Sequence, residues 1–321
     1  MVLRGARGGP LEIAARAFPG EAVEFAMRDP RSGRYFASVT HGQFGPHLFY
    51  TDDPTGKWQQ AEGPAFPPSA NAAIERIWVI EPGVDDDVVW CGVAPAALFR
   101  SGDGGGGLCL HSICPWPGDP NRLAIGISSA GVWLSDDAGK SWRRSVGGLV
   151  PRYIPEEARK DTHAFCVHNM RRAPRQPTTL YMQFHGGVYR SDNAGETWID
   201  IGTDRGLPSD FGFPLAIDPN DPDRAFVVPL AADMDRVTPE GRVRVYETLD
   251  RGKSWRALEN GLPQSKAYLT VLRQAFCNDG ASPLGLYFGA TSGEVFGSAD
   301  GGLTWSTVAA HLPPVASVRC A

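Results

Sequence analysis

SDDAGKSW (residues 135–142) reads as a tight polar turn that ends on a tryptophan. The chain writes it again as SDNAGETW (191–198), TLDRGKSW (248–255) and SADGGLTW (298–305). A catalytic group is needed once, so a stretch used four times is scaffold. The first residues of these copies, Ser135, Ser191, Thr248 and Ser298, stand 56, 57 and 50 residues apart. Between them the order is constant: an apolar segment, a turn such as DPNDPD (218–223), a strand such as RAFVVPL, a loop, a strand such as VRVYET, the motif, and a short strand starting at its Trp. Four short strands repeated at this period are the pattern of a β-propeller blade.

Two degenerate copies extend the series. TDDPTGKW (51–58) keeps the spacing to Trp58 but shifts its glycine by one position. SGDGG (101–105) has no Trp, and the next motif starts only 34 residues later, which predicts a second blade without its outermost strand. Six units result. The terminal PVASVRC is also strand-like, and pairing it with VLRGAR or PLEIAA near the N-terminus would form a composite seventh blade with no open edge. The expectation is an all-β single domain over residues 1–321, with seven four-stranded blades, or six as the alternative, closed by its two chain ends.

Composition agrees. The chain has 321 residues, 42% of them hydrophobic, enough for a large core, and 38 glycines with 27 prolines punctuate it densely. A net charge of −5 with interspersed signs excludes a basic stripe for nucleic acid. No apolar run of the length a membrane span needs occurs, and no export segment is evident. Six scattered cysteines without a CxxC pair read as reduced thiols, so the expected setting is the cytoplasm.

The repeated motif, S/T-x-D-x-G-x-T/S-W, resembles the Asp-box or BNR repeat. That repeat occurs in sialidases, in the propellers of xyloglucan-cleaving glycoside hydrolases, in sortilin-type receptors and in a photosystem assembly factor. The resemblance implies the propeller fold over nearly the whole chain. It leaves function open, because these families do different things. Asn193 departs from it where the box has its Asp. A true sialidase is not expected: the family's Arg-Ile-Pro is matched only by RYIP (152–155), with an inserted Tyr and in mid-chain.

Strand parity sorts the loops. With strands named a to d from inside to outside, the boxes are c–d turns and share one face with the short a–b turns. The b–c and d–a connections share the other face, and they include the long VGGLVPRYIPEEARKDTH (146–163), GTDRGLPSDFG (202–212) and PLAADMDRVTPEGR (229–242). Loops on a rigid scaffold carry function.

On the inner strands, His111 and His168 each follow a cysteine by two residues and precede a turn proline by six. The same offset elsewhere gives Glu24, Arg76, Phe213 and, in the last unit, Gln274 beside Arg273. If the blades superpose, these residues ring the central axis at one level. Ionisable groups there need partners, water or a ligand.

Three readings stay open. The ring is a hydrated polar plug; or it binds, with hydrolysis a further option, a small polar molecule such as a glycan; or it holds a divalent metal ion through His111 and His168 with His185 or Glu24. The site would use His111, His168 and Glu24 as catalytic groups, with Arg76, His185, Arg273, Gln274 and Asp210 contacting substrate. Cys109 and Cys166 read as packing residues. The alternative function is a non-catalytic scaffold for a protein partner.

Overall fold

The computed structural model describes residues 1–85, 88–100 and 109–321. The middle strands of each blade are sealed by its neighbours. Leu180–Phe184 and Gly187–Ser191 are buried at every position, and Ala225–Pro229 likewise, so both faces are covered, and Gln183, Arg190 and Ser191 are buried among mainly apolar neighbours. The large side chains between blades make the core. Met170, Met182, Phe184, Tyr189 and Trp198 pack with Leu134 of the preceding blade, and Phe226, Phe276, Phe288, Phe296 and Trp305 fill the space between the last two.

There are six blades. Blade 1 is Ala22–Arg28, Tyr35–His41, Gly45–Thr51 and Gln59–Gln60. Blade 2 has three strands among the described residues, Arg76–Pro82, Val89–Ala94 and Leu98–Arg100. The expected degenerate box at 101–105 lies outside the described residues. Blades 3 to 6 are four-stranded, with inner strands Leu110–Trp116, Val167–Arg172, Gly212–Ile217 and Phe276–Asn278. Every sheet follows chain order. Among the described residues no helix is long and apolar enough to cross a membrane.

The seventh blade is not formed. Val2–Gly5 and Leu11–Ala15 pair only with each other. This hairpin packs on blade 6, where Arg7 meets Asp279 at 2.5 Å and the Ser306 hydroxyl donates to the Gly8 carbonyl. The C-terminal segment makes a single parallel bridge, Ser317 with Gln274. It descends along blade 6 from Leu312, against Gly293, to Cys320, whose Sγ lies 3.4 Å from that of Cys277. Arg319 sits 4.5 Å over the Phe25 ring of blade 1. The tail is thus a wedge between the last blade and the first, and polar backbone within PVASVRC is satisfied without a seventh sheet.

The boxes explain their own repetition. In the third blade, the Ser135 hydroxyl donates to Asp137 Oδ1 at 2.8 Å and accepts from the Gly139 amide at 2.8 Å. Asp137 also takes the Ser141 amide at 2.9 Å and the Ser141 hydroxyl. These bonds, that of the Ser141 hydroxyl foremost, hold its carboxyl down to about 2. Ala138 and Gly139 are both left-handed, at φ +60° and +84°, which is why a glycine recurs there. Asn193 does the same work with its donor reversed: its amide gives a hydrogen bond to Thr197 Oγ1 at 2.9 Å, and its Oδ1 accepts the Thr197 amide at 3.0 Å.

Asp300→Ala should therefore destabilise the protein by roughly 1–2 kcal/mol in chemical denaturation, and Asp300→Asn by much less, since Asn193 already serves in its own box. Equal losses for the two variants would contradict this account. Glu247 is fully buried between Arg224, at 2.6 Å, and Arg256, at 2.6 Å. Arg224 also bonds the Gly301 carbonyl in the neighbouring box, at 2.9 Å. Glu247→Ala removes the buried carboxylate that joins the two guanidiniums and leaves Arg224 to Asp218, 3.2 Å away, and should cost about 1–3 kcal/mol, measured in the same way.

Candidate functional site at the long-loop mouth of the channel

One residue near the start of each of the first four inner strands, and two in the fifth, escape the ladder. The register slips between Val23 and Phe25, Ile77 and Val79, Leu110 and Ser112, Val167 and Asn169, and Gly212 and Leu215. The bulged residues are Glu24, Trp78, His111, His168 and, in a two-residue slip, Phe213 with Pro214. A bulge re-aims a side chain. The expected level is therefore correct for Glu24, His111, His168 and Phe213. In blade 2 the proline offset misses by two, and Trp78 stands in the ring where Arg76 was expected. Arg76 is half exposed at the strand's start, 3.3 Å from Glu24 and 5.3 Å over the Trp78 ring.

Neighbour contacts join parts of this set. Trp78 and His111 have centroids 5.3 Å apart, and His168 and Phe213 4.7 Å. Gln274 Nε2 donates to the His111 carbonyl at 3.4 Å, while its Oε1 accepts from Arg171 at 2.9 Å and from Arg319. The Gln274 amide is thus committed to structure. Asp210 lies in the d–a loop of blade 4, with its carbonyl taking the Gln183 amide at 3.1 Å, and its carboxyl acts on Arg152 and Tyr189 rather than on the ring.

The structure gathers chemistry around His168. Its Nδ1 lies 2.8 Å from the Gly212 carbonyl and its Nε2 lies 3.2 Å from His185 Nδ1. His185 Nε2 is 3.7 Å from Asp233 Oδ2, and Tyr153 lies over the His185 ring at 4.1 Å. The Tyr153 hydroxyl donates to the Ala164 carbonyl and accepts from the Cys166 amide, which pins the strand entry. Ligand atoms of Cys166, His168 and His185 lie within 4.8 Å of one another. His111 is not in this group. The expected metal set of His111, His168 and His185 is corrected here: His111 projects from the neighbouring blade against Trp78, and the residue that joins the pair is Cys166. The cysteine stands in the d–a loop, a placement that its two-residue spacing from His168 only partly signalled. Tyr153 and Phe211 were not anticipated; nothing in the local pattern separates them from ordinary loop aromatics.

Burial governs the electrostatics. It holds His111 and His168 well below the ordinary histidine value, with the charge of Arg273 adding to the effect, and lowers His185 against the pull of Asp233. Arg273 is partly exposed as a residue, yet its Nε is sealed from solvent and has no hydrogen-bond partner. Its guanidinium lies 4.4 Å over Phe213. Burial lowers it to about 10, so it stays charged at neutral pH, and no carboxylate among the described residues pairs with it.

A cavity of about 350 Å³, lined by residues including Glu81, Arg171, Leu215, Phe276 and Arg319, opens on the opposite, turn-bearing face. Its deep arginines are already engaged: Arg171 bonds Gln274, and Arg319 bonds the Gln274 and Val318 carbonyls at 2.7 Å each. The unengaged guanidinium and the imidazole pair, rather than volume, place the candidate site at the long-loop mouth.

No family model matches the chain, and no curated protein matches it. Solved structures do. An ancestral GH74 enzyme superposes with a TM-score of 0.62 at 15% identity, covering 97% of this chain and 40% of its own. The extracellular domain of a putative hybrid two-component system from B. thetaiotaomicron gives 0.60 at 10% identity, with 97% and 36% covered. YCF48 from Cyanidioschyzon merolae gives 0.56 at 13% identity, with 91% and 86% covered. This chain therefore spans less than half the length of the GH74 enzyme, and the likeness shows the propeller fold.

A buried neutral imidazole makes stability fall with acid. The unfolded chain binds a proton to His111 below about pH 6.5, while the folded chain resists it until well below. Stability is thus full above the unfolded value and is lost as pH drops toward the folded one, at up to about 1.4 kcal/mol per pH unit for each such histidine. His111→Gln should flatten the decline in melting temperature between pH 7 and 5. An unchanged slope would mean that His111 is readily protonated in the fold.

Proposed function

We propose that the long-loop mouth of the channel binds a small polar molecule carrying a carboxylate or similar anion, an acidic glycan being the class that fits best. The observation behind this reading is Arg273. A charged guanidinium with a shielded, unbonded Nε is costly unless an anion completes it. Its surroundings suit a sugar. Tyr153, over the His185 ring, offers an apolar face for a sugar ring, and His185 and Asp233 offer polar edges for hydroxyls, while Phe211, Phe213 and His168 are buried. Asp233, 3.7 Å from His185, and Glu24, held by Arg76, are the carboxyl groups that hydrolysis of a bound glycoside would draw on. The GH74 neighbour is compatible with glycan binding at the level of fold.

A second reading has its own support. Phe44, Tyr153, Met234 and Tyr268 are exposed on long-loop segments of this face, with Met234 at 95% and Phe44 at 72%. Such a rim suits docking of a protein partner, as for the scaffold reading.

Calorimetric titration with uronate- or sialate-bearing oligosaccharides and with their neutral counterparts separates the two. Acidic sugars should bind, and Arg273→Gln should weaken them by about 10- to 100-fold, the worth of a charge-assisted hydrogen bond. Equal affinity for neutral sugars, or indifference to Arg273→Gln, would sink the anion reading and leave the rim as the better guide.

A further inference from the structure

The His168–His185 contact leaves one nitrogen lone pair to be satisfied. The Gly212 carbonyl, 2.8 Å from His168 Nδ1, can only accept, so the hydrogen belongs on Nδ1 and Nε2 is left bare. Asp233 Oδ2 lies 3.7 Å from His185 Nε2, beyond hydrogen-bond reach, so the His185 tautomer is set by its contact with His168. The bare His168 Nε2 faces His185 Nδ1 across 3.2 Å, and either a hydrogen or a cation must stand between them.

We propose that Cys166, His168 and His185 form a three-ligand site for a divalent zinc-class cation, with the fourth position open toward the channel mouth. Three observations converge on it. Two imidazole nitrogens bound at about 2.0–2.1 Å in a tetrahedral shell stand roughly 3.3 Å apart, and here the separation is 3.2 Å. The third ligand atom is a thiol within 4.8 Å, on the half-buried Cys166, and a rotation of that side chain closes the distance to the roughly 3.6 Å that a shared ion requires. His168 also has the outer partner that metal-bound histidines use to fix ring and tautomer, the Gly212 carbonyl at 2.8 Å, and a carboxylate, Asp233, lies 3.7 Å from the far nitrogen of His185.

A sulfur with two nitrogens favours zinc over calcium or magnesium, which take oxygen. The three ligands come from rigid surroundings: a bulged inner strand, the first residue after a fully buried strand, and a loop pinned by Tyr153. Three protein ligands with one vacant position is the arrangement of a zinc ion that acts on a bound molecule rather than one that only braces a fold. With the cation in place, the vacant position and Arg273 would face the same anionic ligand.

The site stands independently of the acidic-glycan reading, and the test keeps the two apart. Metal-stripped protein is dialysed against zinc and analysed for metal, then titrated with cobalt(II) as an optical probe. One ion per chain is expected, with a thiolate-to-cobalt charge-transfer band and the intense visible absorption of four-coordinate cobalt. Cys166→Ser should abolish the charge-transfer band, and Cys166→Ser or His185→Gln should weaken zinc by roughly tenfold or more. His47→Gln, on blade 1, should leave zinc binding alone, and Arg273→Gln should keep zinc even where it loses acidic sugars. Zinc should raise the melting temperature of the parent protein and fail to do so for Cys166→Ser, a near-isosteric change whose folding is checked by circular dichroism. Substoichiometric zinc in the parent, or tight binding that survives Cys166→Ser and His185→Gln, overturns the proposal. In the first case a shared proton is what joins the two rings.

Discussion

A slip of one residue on four inner strands, and of two on a fifth, decides what this protein presents to its channel. The inner ladder cannot pair every residue and still bend around the axis, so it slips once near the long-loop end. The freed side chains, Glu24, Trp78, His111, His168 and Phe213, form a ring in which Trp78 touches His111, and His168 touches Phe213, across blade boundaries. Backbone geometry fixes the positions; only the identities are free to vary from blade to blade. Blade 6 solves the same problem differently. Gln274 pairs with the C-terminal tail, and its side chain ties the ring to the arginines below.

The boxes are the counterweight to that variation. They occupy the turn-bearing face and satisfy most of their polar groups within eight-residue turns; the indole N–H groups of Trp142 and Trp305 bond inside the turn, that of Trp255 reaches the Ile201 carbonyl, and that of Trp198 has no partner among the described residues. Asn193 shows how little the turn asks of the central residue: a short acceptor suffices, and charge does not. Because these turns close the outer half of each blade without help from the channel, residues at the other face can be polar, charged and costly to bury.

What could be read in the chain follows the same division. The boxes are local, so spacing alone revealed blade number up to the seventh, which failed because strand-like composition in PVASVRC says nothing about where a tail lies. Counting back from the turn prolines found four bulged positions, since strand length from bulge to turn is constant in those blades. It failed at Arg76 because blade 2 reaches its proline two residues sooner. The cluster at His168 needed a third dimension. His185 ends one strand, Cys166 precedes another, and Tyr153 and Asp233 come from loops of different blades. No periodicity links them, and only folding brings them within reach.

The asymmetry of the channel has a physical consequence for chemistry. Its turn-face end holds arginines that are already hydrogen-bonded, so a ligand entering there must displace existing bonds. At its long-loop end, Arg273 stacks on Phe213 with a bare Nε, beside imidazoles kept neutral by burial. Neutral imidazoles do not add to the repulsion of a cation and can accept or ligate, while the guanidinium supplies a permanent charge that water does not screen well at that depth. An anion, or an anion together with a metal ion, relieves both deficits at once. Neither deficit arises from the fold as such, because Phe213 and Trp78 show that apolar residues fit the same ring positions. The polar residues of blades 3 and 4 are therefore departures from what packing alone requires, as the proposed binding role calls for.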